Sequence, residues 1–589
     1  MHWFRAWLGC GLFCLTLWNL APVRAEGPPD PLRLVPRQAD LVVEVPQPRQ
    51  LLESFLNLQQ RQQLQSLAVV QELHDSTNFR RFQQLVAYYE KQLGMTWPQV
   101  LDRLTGGGAV LAVQYGPDPA PGLFVIQGSD PELLHQFYRL SLEVIDQELA
   151  RQEAKDRLEK SHYRDQETVH IGPKFFAAVA GSALLISNTE KGLEAGLDHY
   201  LDGDQDNLSQ SASVKAARNL LPPRPLAWMW LNLDYVHRSP QAKDLFSLPR
   251  NDAFQTVLFG GWLDVAGRAP FLCAGLYKQH HGFLTTVRMP RGREGMPAAL
   301  ALHVPPAGQP GSLPLLEPKG VLFSSSYYLD LSRLWEDRAS LFNAQQIKGL
   351  EDLNKNSAKF LVGNRLEELL RELGPHHRLV AANQFQTGYR PMTTREGDPT
   401  PSIPAFALVV DMRNPEAFSK AMNTILRGAA LLAGFQVKIK LVEEKHGDAT
   451  IVGYRFAEDA EMKQDVNSIR FNFSPCFVRV GNQFVVSSTL ELARNLVDLL
   501  AEEARHPERS GNPATEQTQF YSAGAADALQ AIEDRLLVQT ILSQALSPEE
   551  AHRQVRIFID WVRHLGVLRL ESDYNARDFH YDVRLVLEK

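Results

Sequence analysis

The sequence predicts an α+β fold made of two tandem homologous halves, each with antiparallel sheet packed against amphipathic helices. Three observations predict it: short apolar or alternating segments joined by tight turns, helical periods that follow in blocks, and a shared order of segments in the two halves of the 589-residue chain. We assign residues 30–288 to the first half and 319–589 to the second. Residues 289–318 between them are rich in proline and glycine, which is typical of a linker.

The composition is that of a globular protein. Hydrophobic residues make up 44% of the chain and charged residues 22%, which is too apolar for a disordered chain. The net charge is −7, and the lysines and arginines are scattered. They form no stripe of basic residues of the kind that binds nucleic acid, so the sequence does not predict a nucleic-acid partner.

The N-terminus predicts a secretory signal peptide over residues 1–25. Arg5 gives a positive start, the run Ala6–Ala21 is apolar, and Val23 and Ala25 are small residues at the positions before a cleavage site. The run is shorter than the roughly 20 residues that a membrane span needs. We therefore expect a periplasmic or extracellular protein without a transmembrane span after cleavage. The alternative is a retained anchor.

Cysteine usage predicts no disulfide framework. Cys10 and Cys14 leave with the signal peptide, and only Cys273 and Cys476 remain. These two fall in non-equivalent segments of the halves, so buried free thiols are expected.

The two halves match segment by segment. Each opens with a strand and a helix, at 40–45 and 51–58 in the first half and at 321–329 and 333–342 in the second. Further on, three pairs of segments correspond in order: LFVIQGSDPELL (123–134) with ALVVDMRNPEAF (407–418), AVAGSALLISNTEKGLEAGL (178–197) with VRVGNQFVVSSTLELARNLV (478–497), and WLDVAG (262–267) with WVRHLG (561–566). This shared order predicts an internal duplication.

Helix starts within these segments follow from capping chemistry. Asp130 and Asn414 each precede a Pro-Glu pair, in which an Asx side chain caps free N–H groups and proline suits the first helical position. Residues 78–94 form an amphipathic pattern closed by Gly94, and 96–99 fits a capping box.

The repeated Ser/Thr cluster is the first candidate for chemistry. Gly181-Ser182 and Gly481-Asn482 suit two-residue hairpin turns, and Ser187, Thr189, Ser487 and Thr489 follow the second strands. A serine hydrolase elbow would need G-x-S-x-G, which is absent. The spacings from Ser187 to Glu190 and from Ser488 to Glu491 predict capping boxes, displaced by one residue between the halves.

Three further clusters have structural explanations. Thr105-Gly106-Gly107-Gly108 lacks the following Gly-Lys of a phosphate loop and precedes a strand, so a turn is expected. The pairs His280-His281 and His376-His377 lack metal-ligand spacing and are expected in surface turns. The acids in 202–207 alternate as in a calcium loop, but Asn207 and Ser213 stand where an EF-hand needs Gly and Glu. We therefore assign no catalytic, cofactor-binding or metal-ligating residue, and no cofactor.

Four segments together resemble a known family. They are PRQADLVVEVPQPRQLL (36–52), NLSQSASVKAARNLLPPRPLAWMWLNLDYV (207–236), AFALVVDMRNPEAFSKAM (405–422) and FVRVGNQFVVSSTLELA (477–493). This set resembles the DUF3352 family of uncharacterised exported bacterial proteins, in its large planctomycete-type version. The resemblance implies an envelope location and carries over no catalytic residue.

The expected function is that of an exported, non-enzymatic binding or scaffold protein of the bacterial periplasm or cell envelope. Its partner would be an envelope protein or an apolar ligand. Two alternatives stay open at this point: a hydrolase whose triad is assembled from distant residues, and a carrier that encloses an apolar ligand.

Overall fold

A computed structural model of the chain describes residues 28–588, except 57–64, 66, 204–205, 386–401, 460–464, 466–467 and 507–510. The predicted signal peptide lies outside the described residues. Two compact units are present. Among the described residues, the first unit comprises those up to Arg238 together with Ala269–Met289, and the second comprises those of Ser239–Arg268 and those from Pro290 onward.

The first unit is built on an antiparallel sheet. Its described strands are β1 (Leu41–Val45), β2 (Gly108–Val113), β3 (Gly122–Gln127), β4 (Leu158–Tyr163), β5 (Gln166–Ile171), β6 (Phe175–Ala180), β7 (Ala183–Ser187), β8 (Ala227–Asn232), β9 (Phe271–Gln279) and β10 (Gly282–Pro290). Its described helices are α1 (Pro48–Leu56), α2 (Ala68–Asp75), α3 (Thr77–Leu93), α4 (Trp97–Leu104), α5 (Pro131–Arg151), α6 (Glu190–Asp202), α7 (Ala212–Leu220) and α8 (Leu233–His237), with 3₁₀ turns at Pro31–Leu34 and Leu208–Gln210.

The second unit has its own antiparallel sheet. Its described strands are β11 (Val321–Tyr328), β12 (Leu373–Ala382), β13 (Ala405–Met412), β14 (Ile439–His446), β15 (Ala449–Phe456), β16 (Cys476–Val480), β17 (Gln483–Ser487), β18 (Glu516–Tyr521), β19 (Val567–Tyr574) and β20 (Asp578–Val586). Its described helices are α9 (Pro240–Phe246), α10 (Ala253–Arg268), α11 (Leu331–Glu336), α12 (Arg338–Leu341), α13 (Ala344–Phe360), α14 (Leu366–Glu372), α15 (Pro415–Gly434), α16 (Leu490–Arg505), α17 (Ser522–Gln530), α18 (Glu533–Gln544) and α19 (Pro548–Arg563), with 3₁₀ turns at Ala298–His303 and Ile469–Asn472.

Strand order is the same in the two units. In the first, hydrogen-bonded neighbours run β4-β5-β6-β7-β3-β2-β1-β8-β9-β10. In the second they run β14-β15-β16-β17-β13-β12-β11-β18-β19-β20. All these pairs are antiparallel, so the predicted α+β class with antiparallel sheet is confirmed.

Both faces of the first sheet are buried near β6. Adjacent residues of a strand point to opposite faces. Ala178 therefore packs in one core with Leu193 of α6, and Ala177 packs in a second core with Tyr138 of α5. Helices thus cover the sheet on both sides in this region.

The second unit buries one face of its sheet under α16. Val409 and Val485 pack there against Leu496, and all three side chains are fully buried. On the opposite face, Phe418 of α15 covers Phe484, and this core extends to Val410 and Met412 of β13.

The two compact units of the structure differ from the two halves predicted from the sequence in two segments of the chain. Residues 239–268 precede β9 in the chain, yet they belong to the second unit. Close packing explains this, because a side chain added at Gly261 of α10 would lie 2.7 Å from the Tyr574 hydroxyl. Within the predicted linker, Leu300 and Leu302 are fully buried in a core of the second unit, so this part is not a solvated connection.

The two cysteines are buried free thiols, as expected. Burial raises the pKa of both thiols to about 12. Because the thiolate is the reactive form, both cysteines should be chemically inert in the folded chain.

Candidate functional site

The repeated Ser/Thr cluster lies at helix N-termini, but the predicted capping boxes are wrong. The N-caps are Thr189 and Thr489, whose side chains accept hydrogen bonds from the backbone N–H groups of Gly192 and Leu492 at 3.2 Å. Spacing to the next glutamate misplaced the caps, because each strand continues through the serine at 187 or 487. The two caps now stand in one register, without the displacement that the sequence suggested.

The serines of the cluster also bind backbone. Ser187 Oγ accepts from Thr189 N at 3.1 Å, and Ser487 Oγ accepts from Thr489 N at 3.2 Å. Both serines are buried. Gly181 and Gly481 occupy the two-residue turns with φ of +60° and +59°, as predicted. This cluster therefore builds a hairpin followed by a helix in each unit.

The glycine run forms the predicted turn. Thr105 ends α4, its hydroxyl donates to Leu101 O at 2.8 Å, and β2 begins at Gly108. A Cβ at Gly107 would lie 2.3 Å from Gln127, so the run lets β2 and β3 approach closely.

The two histidine pairs differ. His280 and His281 form the turn between β9 and β10, as expected. The expectation of a surface turn is wrong for His376 and His377, which lie within β12. His377 is buried and bonds Leu329 O at 2.9 Å, and burial lowers the pKa of its imidazole.

The described acids of the loop 202–207 have protein partners. Asp202 pairs with Arg164, Asp206 pairs with Arg37, and Asn207 caps a 3₁₀ turn. Within the described part of the chain, no three His, Cys, Asp or Glu side chains are placed to hold a metal ion.

The candidate site is a partly uncovered face of the second unit's sheet, which we name the open face. Three rows of paired residues cross it. The first row is Phe406–Ala381–Phe323–Phe520–Leu568–Leu585, the second is Leu408–Leu379–Ser325–Thr518–Leu570–Val583, and the third is Val410–His377–Tyr327–Glu516–Ser572–Tyr581.

Large apolar side chains of the first two rows are exposed. Phe406 is 58% exposed and Phe520 is 43% exposed, and Leu379 and Leu408 are also exposed. The rings of Phe323 and Phe520 lie 5.0 Å apart. Contiguous exposed apolar side chains on a folded surface mark binding sites.

The second and third rows supply polar groups beside the exposed apolar side chains. Ser325 Oγ and Thr518 Oγ1 are 2.8 Å apart, and Thr518 Oγ1 donates to Glu516 Oε1 at a long 3.4 Å. Ser572 Oγ donates to the other carboxylate oxygen at 3.5 Å. Burial raises the pKa of Glu516 above its ordinary value. The carboxyl group is thus weakly hydrogen-bonded and has capacity for another donor.

Cover at the third row comes from residues of the second unit itself. Trp262 of α10 packs edge-on against Tyr581 at 4.9 Å, and Tyr327 stacks on His377 at 5.5 Å. The strand rise of about 3.4 Å per residue places Phe520 about 14 Å from Glu516. A ligand about 14 Å long, with an apolar body and a hydrogen-bonding head, would therefore reach both Phe520 and Glu516.

The corresponding sheet of the first unit shows a contrast. The row Phe124–Leu111–Val43–Met229–Ala274 is apolar throughout and half-buried. This row of the first unit therefore contains neither an exposed ring nor a carboxyl group. Sequence reasoning missed the open face, because the rows depend on which strands become neighbours. The alternation of Glu516, Thr518 and Phe520 was the one local signal.

No helix in the described part of the chain is both long and apolar enough to cross a bilayer. No protein-family model matches the chain, and no curated protein matches it. Among solved structures, it is similar to crystal form I of TP0453, with 11% identity, a TM-score of 0.23, and coverage of 44% of this chain and 78% of that chain. Crystal form III of TP0453 gives 9% identity, a TM-score of 0.24, and coverage of 46% and 84%. TM-scores this low carry no structural argument.

Proposed function

We propose that this chain is an exported, non-enzymatic binding protein of the bacterial periplasm or cell envelope, and that its open face takes an apolar ligand with a hydrogen-bonding head. The pattern of residues 1–25 supports export. The exposed apolar rows beside the Glu516 carboxyl group are the observation that carries the binding role. Membership of the DUF3352 family is part of the same proposal.

We also propose that the two units arose by internal duplication. The shared strand order supports this, as do the glycine turns and threonine caps at the same places in both units. After duplication, the second unit would have gained polar groups beside an apolar face while the first stayed half-covered. The hydrolase alternative has no support from the repeated serines, since their hydroxyl groups bind backbone.

A fluorescence titration tests the binding role. The chain without residues 1–25 is titrated with 1-aminoanthracene, an apolar fluorophore with one amine, and is compared with a Phe406→Ser variant. Fully burying a Phe is worth about 1.5–3 kcal/mol, and 58% of Phe406 is available for burial. The variant should therefore bind about 5- to 20-fold more weakly.

Leu353→Ser is the matched control, because Leu353 on α13 is 56% exposed and lies outside the three rows. It should leave the affinity unchanged. Binding at micromolar probe by the parent chain, weakened only by Phe406→Ser, supports the proposal. Absence of binding, or equal weakening by both substitutions, contradicts it.

A further inference from the structure

A second site lies in the second unit, away from the open face. The 3₁₀ turn Ala298–His303 and its flanks form one wall of a cavity of about 300 Å³ that opens to solvent. Met296, Pro297 and Val304 give this wall an apolar character. The volume is at the small end of the range seen for ligand sites.

The hydroxyl group of a largely buried tyrosine opens into this cavity. Tyr328 ends β11 and is only 7% exposed, yet its hydroxyl group has no hydrogen-bond partner among the residues that the structure describes. The ring packs edge-on against His376 at 5.6 Å, which holds it in place. Because none of the described protein groups uses this hydroxyl, it is free to donate a hydrogen bond to a ligand in the cavity.

Two arginines line the same cavity. Arg293 is fixed by hydrogen bonds to the carbonyl groups of Tyr574 and Pro305, which leaves other guanidinium N–H groups unused. Its position therefore does not depend on a carboxylate. Such a pre-placed guanidinium is suited to an anionic ligand.

The second arginine is only loosely neutralised. Arg333 Nε lies 3.9 Å from Asp330 Oδ2, and Arg333 Nη1 lies 4.0 Å from Asp337 Oδ2. Asp330 makes its short contact instead with Arg413, at 2.7 Å. Both distances exceed hydrogen-bond length, and Arg333 Nη1 donates only a long bond of 3.5 Å to Ala298 O, so the other guanidinium N–H groups can donate to a ligand.

We infer that this cavity binds a small organic carboxylate with an apolar body. Its carboxylate would accept hydrogen bonds from Arg333 and from the Tyr328 hydroxyl, and its body would pack on Met296 and Val304. Guanidinium and carboxylate match in a two-bond geometry. The apolar wall and the nearby Asp330 carboxylate favour one negative charge over the two of a phosphate.

Benzoate is the probe, and benzyl alcohol is its neutral match. Calorimetric titration of the chain without residues 1–25 should show benzoate binding and no benzyl alcohol binding. Arg333→Gln should weaken benzoate binding at least about tenfold, because it removes a charge-assisted hydrogen bond. Arg553→Gln, the same charge change at an exposed position of α19, should leave it unchanged.

Tyr328→Phe separates a binding role from a structural one. The hydroxyl has no protein partner, so its removal should weaken benzoate binding without lowering the melting temperature. Absence of benzoate binding to the parent chain overturns the inference, as does equal binding of benzyl alcohol or an equal effect of Arg553→Gln. The inference does not rest on the open face, and Phe406→Ser should leave benzoate affinity unchanged.

Discussion

The turn glycines of the repeated hairpins make a quantitative test of the architecture. Gly481 has φ of +59°, and an added Cβ would meet no atom within 4 Å. Gly481→Ala should therefore cost only the backbone strain of a non-glycine residue at positive φ, about 1–2 kcal/mol. Gly181 has the same φ, but its Cβ would lie 2.8 Å from the Tyr200 hydroxyl, so Gly181→Ala should cost more.

Hydrogen exchange measured by mass spectrometry gives the amide exchange rate of each hairpin separately, because different peptides cover the two hairpins. A loss of 1–2 kcal/mol in local opening free energy speeds amide exchange about 5- to 30-fold. Gly481→Ala should show this in peptides covering 476–487 and leave those covering 175–187 unchanged, so each molecule carries its own control. Unchanged exchange at 476–487, or a larger effect from Gly481→Ala than from Gly181→Ala, would refute the reasoning.

Two further predictions concern the caps and the open face. Thr189→Ala and Thr489→Ala should each destabilise their own unit by about 1 kcal/mol in urea unfolding, because each removes an N-cap hydrogen bond. If neither substitution lowers the free energy of unfolding, the two threonine caps do not stabilise their helices. Burial raises the pKa of Glu516 in the folded state, so the folded chain binds the Glu516 proton more tightly than the unfolded chain does. The free energy of unfolding therefore falls as the pH rises from the unfolded-state pKa of Glu516 through its folded-state pKa. Glu516→Gln should therefore raise the melting temperature at pH 7 more than at pH 4, and an equal shift at both would contradict this.

Local chemistry predicted much of the fold. Asp130 and Asn414 accept hydrogen bonds from the N–H groups three residues on, as their Pro-Glu context indicates. The helix at 78–94 appears as Thr77–Leu93 and ends at Gly94 with φ of +67°. These features need only neighbours in the sequence, which is why capping and turn rules found them.

The rest depends on contacts between distant residues. The sequence matched WLDVAG (262–267) with WVRHLG (561–566), but it could not show that Gly261 faces Tyr574, some 300 residues later in the chain. The open face is a similar case, because Phe406 and Phe520 share a row only through the pairing of β13, β12, β11 and β18. Neither candidate site has a local motif, so the sequence alone assigned none.

Alkylation of an introduced cysteine tests the central proposal most directly. Cys273 and Cys476 are buried with the pKa of each thiol raised to about 12, so neither should react with iodoacetamide in the folded chain. A Phe406→Cys thiol on the open face should react quickly, and saturating 1-aminoanthracene should slow it. A Leu353→Cys thiol should react equally with and without the probe. If the probe protects neither thiol, or protects both alike, the open face is not the binding surface.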